Sequence, residues 1–172
     1  MTNKKIYVVF DTGAFLAKYH LQLDPSRTTI YTVPLVIDEV CDKENREALE
    51  IGLDIGRVIV VKPNEKYIEK VVEKALEIGE YISLSKTDTE IAALALELSR
   101  KGRVVVITDD YALQNLLLHL DIPYKPLRTT GIKSARKYVV VCKRCGYTST
   151  NREERICPIC GYELVKKSIN TS

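Results

Sequence analysis

A chain of 172 residues, 45% of them hydrophobic and with no apolar run near ~18 residues, excludes a helical membrane protein and a largely disordered one. Its length allows one core of ordinary size plus a small appendage. The formal charge of +3 conceals an asymmetry: residues 1–127 carry 16 Lys and Arg against 20 Asp and Glu (net −4), and residues 128–172 carry 10 against 3 (net +7), a basic tail suited to a polyanionic partner.

The N-terminal Met-Thr-Asn-Lys-Lys leads into an apolar stretch too short for an export signal, so a cytoplasmic protein with no membrane partner is expected. Ile6 to Phe10 has no polar alternation and reads as a strand buried on both faces, running straight into Asp11. Helix-compatible spacing follows from Ala14 to Tyr19. Leu21 to Thr29, polar and containing Pro25, reads as a loop. Pro34 opens a helix that carries Asp38 and Glu39. Asp42 to Ile55 continues as a second helical segment, with Ala48, Leu49, Leu53 and Ile55 facing inward. The lone Cys41 reads as a buried structural thiol.

Val58 to Val61 is a short buried strand stopped by Pro63, and Glu65 to Gly79 an amphipathic helix. Thr87 and Glu90 have capping-box spacing before an Ala/Leu-rich helix that stops short of Gly102. Arg103 to Ile107 is the most apolar strand; Thr108-Asp109-Asp110 follows it, then a helix from Tyr111 to Leu120. Ile122 to Leu127, with Pro123 and Pro126, is a weaker last strand. Strands alternating with helices predict an α/β fold, a parallel sheet with helices on both faces, over residues 1–127.

Residues 128–137 are basic and poor in apolar side chains, and read as a linker. From Tyr138 a second unit, 138–172, contains a repeat: Cys142-Lys-Arg-Cys145-Gly-Tyr147 matches Cys157-Pro-Ile-Cys160-Gly-Tyr162 at an offset of 15. Two C-x-x-C-G turns predict one structural zinc ion held by Cys142, Cys145, Cys157 and Cys160, because four thiolates fill a tetrahedron and leave no open position. Disulfides or a redox pair are the alternative. Lys133, Arg136, Lys137, Lys143, Arg144, Arg152 and Arg155 are candidates for RNA phosphates, with Lys166 and Lys167 beside them. Tyr147 and Tyr162 either stack bases or pack beside the zinc turns.

Asp11, Glu39, Asp88 and Asp110, with Asp109 beside the last, are the candidate catalytic acids. Taken singly, each has an ordinary structural reading: Asp11 or Asp109 as a helix cap, Glu39 as a solvated side chain, Asp88 as a charge at a helix N-terminus. Together they point elsewhere. Asp11 and Asp110 follow the two most apolar strands and should emerge on the ligand edge of the sheet. Packed carboxylates raise one another's pKa unless a cation compensates, and carboxylate oxygens suit magnesium or manganese. Thr12 or Thr108 could orient a water or a carboxylate. His20 and His119 have no partner pattern, and His119 reads as a packed core residue; no phosphate-binding glycine loop is present. Asp-Thr-Gly-Ala matches the aspartic-protease signature, but that family is all-β.

The order of motifs resembles the PIN nuclease family over residues 6–127. Val8-Val-Phe-Asp11-Thr12 matches its first strand and acid, Val36-Ile-Asp-Glu39 its second acid, Leu84-Ser-Lys-Thr-Asp88 its third, and Val105-Val-Ile-Thr108-Asp109-Asp110 its last. The last match makes Asp110 the fourth ligand and Asp109 auxiliary. A PIN domain followed by a zinc ribbon, together with Thr-Asp-Asp-Tyr-Ala-Leu-Gln-Asn at 108–115, is similar to the Nob family of ribosome-assembly endonucleases, in an archaeal-type form. That resemblance implies a metal-dependent single-strand endoribonuclease that cleaves precursor rRNA at the 3′ end of small-subunit rRNA. It also implies the assembling small ribosomal subunit, and RNA-binding assembly factors, as partners. Two other readings stay open: a toxin-like PIN nuclease acting on tRNA or mRNA, and a non-catalytic RNA-binding assembly factor.

Overall fold

The structure is a computed structural model that describes residues 5–171. Residues 1–4, which carry most of the N-terminal stretch read against an export signal, lie outside the described residues. Five parallel strands form the main sheet: β1 (Ile6–Phe10), β2 (Thr28–Thr32), β3 (Val58–Val60), β4 (Val104–Ile107) and β5 (Tyr124–Lys125), in the order β3-β2-β1-β4-β5. The chain moves outward from β1 to β3, then returns past β1 to β4. Parallel crossovers are right-handed, so this reversal sends the two sets of helices to opposite faces. α1 (Thr12–Leu16), α2 (Pro34–Glu39) and α3 (Lys43–Asp54) form one layer, with α1 touching both others. α4 (Glu65–Glu77), α5 (Lys86–Ser99) and α6 (Tyr111–His119) touch one another in the second. Among the described residues no helix is long and apolar enough to cross a membrane.

The core is built on Val8, Val9 and Phe10 of β1, Val106 and Ile107 of β4, and the helix side chains Phe15, Leu49, Ile91, Leu94, Leu113, Leu116 and Leu117, all buried. Each large side chain of this kind contributes about 1.5–3 kcal/mol by leaving water. Phe10 and Phe15 pack with ring centroids 5.1 Å apart, locking the strand to the helix that follows it.

Several sequence expectations change. The segment read as a loop to Thr29 contains the start of β2, whose β-branched and aromatic run Thr-Thr-Ile-Tyr-Thr was masked by its threonines. The hydroxyl of buried Thr32 is satisfied by donating to the Phe10 carbonyl at 2.9 Å. β3 is an edge strand rather than a buried one: Val58 is inside, but Ile59 and Val60 are partly exposed. Ile55 lies outside, at the end of α3. Cys41 is exposed, because α2 ends at Glu39 and turns its thiol outward beside the Asp38 carbonyl. His119 is half-buried at the end of α6, its Nε2 3.2 Å from the Arg136 carbonyl oxygen, so it is not a core residue. His20 is buried against Phe15. The helix cap falls on Ser85, not Thr87: Ser85 and Asp88 form the reciprocal capping box of α5.

The second sheet is antiparallel, β7-β6-β8, from β6 (Arg136–Cys142), β7 (Thr148–Ser149) and β8 (Leu164–Asn170). Its start is fastened to the parallel sheet's helices. The N–H of Tyr138 donates to the Ile78 carbonyl at 2.8 Å. The Asn115 side chain holds the backbone of Arg136 at both its N–H and its carbonyl, each at 2.8 Å. Residues 129–132 are also tied down, through Asp109, Gln114 and the Tyr124 hydroxyl.

Candidate metal-dependent active site

β1 and β4 are neighbours, and the chain reverses direction between them. Such a reversal opens a crevice at the carboxyl ends of the strands. The register pairs Phe10 with Ile107, which sets Asp11 beside Thr108. Asp11 is the N-cap of α1, accepting from the Ala14 N–H at 2.7 Å. Burial raises its pKa to about 6; hydrogen bonds from the Thr108 hydroxyl and Ala14 N–H oppose this, and the charges of Asp109 and Asp88 add to it. Thr108, itself buried, also accepts from the Asp110 N–H at 3.1 Å. One hydroxyl thus links the two strand ends.

Asp110, not Asp109, caps α6, accepting from the Leu113 N–H at 2.7 Å. Asp88 sits in the first turn of α5, where Oδ2 accepts from the Ser85 N–H at 2.9 Å and the Ser85 hydroxyl at 2.7 Å. Burial raises its pKa, Ser85 opposes this, and the charges of Asp110 and Glu39 push it up further. Glu39 ends α2. Its two carboxylate oxygens accept from the hydroxyls of Thr12 and Thr87, one each. Thr87 is a site residue that sequence reasoning assigned to a cap; its partner lies 48 positions away, and no local pattern announces it.

The four acids therefore come from the N-caps of α1 and α6 and from α2 and α5, and meet at one edge of the sheet. Among the described residues, none of the four is in an ion pair. A patch of negative charge without internal compensation suits a divalent cation. Asp109 is turned away. Its Oδ1 accepts from the N–H groups of Leu127, Arg128 and Thr129 at 2.8, 3.0 and 3.2 Å. Burial pushes this carboxyl up, but the three N–H groups prevail and hold it below the usual range.

In the second sheet the sulfurs of Cys142, Cys145, Cys157 and Cys160 lie within 4.8 Å of one another, with Cys142–Cys160 and Cys145–Cys157 at 3.5 Å. Tetrahedral zinc with sulfur at 2.3 Å has ligand–ligand edges of about 3.8 Å, so the four donors fit a metal ion. The repeat is structural: Cys142 and Cys157 donate to the carbonyls of Tyr147 and Tyr162 at 2.8 and 2.7 Å. Gly146 and Gly161 close the turns with φ of 78° and 69°.

Of the candidate RNA-binding cations, Lys133, Arg136, Lys143, Arg144 and Arg155 are exposed and Lys137 is half-buried. Arg152 is engaged within the protein. Its guanidinium donates to the Gly79 carbonyl at 3.2 Å and the Ser83 hydroxyl at 2.9 Å, lies 3.6 Å from the Glu80 carboxylate, and covers the Tyr138 ring at 5.0 Å.

A family model described as the PIN domain of ribonuclease matches residues 8–98. Endoribonuclease Nob1 of Methanothermobacter thermautotrophicus is 37% identical over 161 residues, covering 92% of this chain and 91% of that protein. Ribonuclease VapC3 of Aeropyrum pernix is 41% identical over 125 residues, 72% of this chain and 88% of that one. The 20S-pre-rRNA D-site endonuclease nob1 of Schizosaccharomyces pombe is 39% identical over 98 residues, 57% of this chain and 24% of its own length.

Proposed function

Because the chain belongs to the PIN-domain endoribonucleases of the Nob1 group, we propose that it cuts single-stranded precursor rRNA at the 3′ end of small-subunit rRNA. The observation that carries the chemistry is the meeting of Asp11, Glu39, Asp88 and Asp110 at the carboxyl ends of β1 and β4 without a paired cation among the described residues. These four would hold magnesium or manganese. A divalent ion bound there lowers the pKa of a water and stabilises the leaving oxygen of a phosphodiester.

The chain's own residues do the positioning. Thr12 and Thr87 hold Glu39 by both oxygens, so its carboxylate cannot rotate away. Thr108 fixes Asp11 against Asp110, and Ser85 fixes Asp88. Asp109 has a supporting role: it anchors residues 127–129 beside the site. The cysteine cluster would hold zinc, and the basic surface of 128–172 would dock the enzyme on the precursor within the assembling subunit, with assembly factors beside it. This role places the protein in the cytoplasm.

The similarity to a VapC ribonuclease favours a second reading, a toxin-like nuclease acting on tRNA or mRNA. Coverage of nine-tenths of both this chain and a Nob1 protein argues for the first. One experiment separates them. The protein is incubated with an RNA spanning the 3′ end of small-subunit rRNA and, in parallel, with tRNA, with magnesium or manganese present or chelated. A single metal-dependent cut at the mature end, lost in Asp11→Asn, is expected. Cutting of tRNA alone would favour the toxin-like reading, and RNA binding without any cut would favour a non-catalytic assembly factor.

A further inference from the structure

In the motif at 108–115 most side chains have a place in the fold, and Tyr111 stands apart from them. Thr108, Asp109 and Asp110 build the site and its support. Gln114 is buried, its amide donating to the Thr108 carbonyl at 3.0 Å and accepting from the Ile132 N–H at 3.1 Å. Asn115 is buried and holds Arg136 and Glu80. Tyr111, next to Asp110, is 52% exposed in the first turn of α6 and takes part in no hydrogen bond or aromatic pair among the described residues.

Tyr111 instead lines a cleft of about 640 Å³ between α6 and the start of β6. That volume lies within the range of pockets that enclose a small ligand, and is ample for one nucleotide. The other walls carry Lys133, Ser134, Arg136 and Tyr138. Lys133 and Arg136 are exposed, whereas Glu80, an acid in the wall, is buried and compensated by Arg152 and Asn115. The cleft therefore presents an aromatic face and exposed cations, and it begins one residue from a candidate catalytic acid. Aromatic rings beside cations that track a backbone are how proteins grip single-stranded nucleic acid.

We infer that this cleft is a nucleotide subsite for the single-stranded RNA next to the cut, with Tyr111 stacking one unpaired base and Lys133 and Arg136 meeting its phosphates. The subsite rests on the nuclease reading above, and it is composite: α6 supplies the ring and the approach to β6 supplies the charges.

The test uses the full chain with divalent ions chelated and short single-stranded RNAs carrying 2-aminopurine at successive positions. One position should be quenched on binding. Tyr111→Ala should restore its fluorescence and weaken binding roughly five- to hundredfold, the range for loss of a base–aromatic stack. Tyr111→Phe should keep both properties, and unchanged melting temperatures establish that the variants fold. In metal-dependent cleavage, Tyr111→Ala should raise KM and leave kcat nearly unchanged. Quenching at no position, or equal quenching and affinity in Tyr111→Ala, overturns the subsite and leaves the cleft to a protein partner. Failure of the wild type to cut any RNA with magnesium or manganese overturns the nuclease reading instead, and is read separately from the fluorescence.

Discussion

Gly79 and Tyr138 meet backbone to backbone: a Cβ on Gly79 would stand 2.1 Å from the Tyr138 carbonyl oxygen, and Gly79 has φ of 72°. This approach lets the neighbouring Ile78 carbonyl accept from Tyr138 and brings Arg152 over Gly79. Gly79→Ala is expected to cost at least about 2 kcal/mol, from left-handed backbone strain plus the clash. The loss should appear as a lower melting temperature and faster proteolysis between residues 128 and 138. An unchanged protein would mean that the second sheet is held elsewhere.

Adjacent carboxylates should respond in opposite ways. Asp110→Asn keeps a competent helix cap, so stability should change little while cutting is lost. Asp109→Ala removes the acceptor for three N–H groups and should cost about 1–3 kcal/mol. Denaturant melts and cleavage rates on both variants check the pair.

Thr87→Val removes one of the two hydroxyls that hold Glu39 while keeping side-chain volume. Residues that orient metal ligands typically matter by 10–100-fold. Magnesium or manganese affinity, measured by titration, should fall by about that factor, with the fold intact. An unaltered affinity would remove Glu39 from the ligand set.

Asp11 makes stability depend on pH. Its pKa rises from 3.8 to about 6 on folding, so the folded state binds this proton more tightly. With divalent ions chelated, the stabilising contribution is complete below pH 3.8 and is lost as pH rises through about 6, a change on the order of 2–3 kcal/mol. Asp88 shifts in the same direction. Asp11→Asn should therefore melt higher than wild type at pH 8 without metal, and the difference should vanish near pH 4. A variant that melts lower at pH 8 would show that the carboxylate is structurally required.

What the sequence revealed and what it hid divide along local and distant contacts. Asp11 and Asp110 were legible because each follows an unbroken apolar strand, and a buried strand end has few places to emerge. The cysteine repeat was legible because its chemistry lies within four residues. β2 was hidden by three threonines whose burial depends on partners, such as the Phe10 carbonyl for Thr32. Thr87 was misread, and the internal contacts of Arg152 were not foreseen, for the same reason: their partners, Glu39 and Glu80, are remote in sequence. Cys41 was misplaced because the end of α2, not residue polarity, decides which way it points.

Asn115 grips residue 136 only through the peptide groups, donating to its carbonyl and accepting from its N–H as a neighbouring strand would. The anchor is consequently blind to which side chain stands there. Any residue but proline, which lacks the N–H, can vary position 136 in charge, length or shape without loosening the attachment of β6. Natural or engineered diversity at this point would then report on what lies outside the protein, not on the protein's own cohesion.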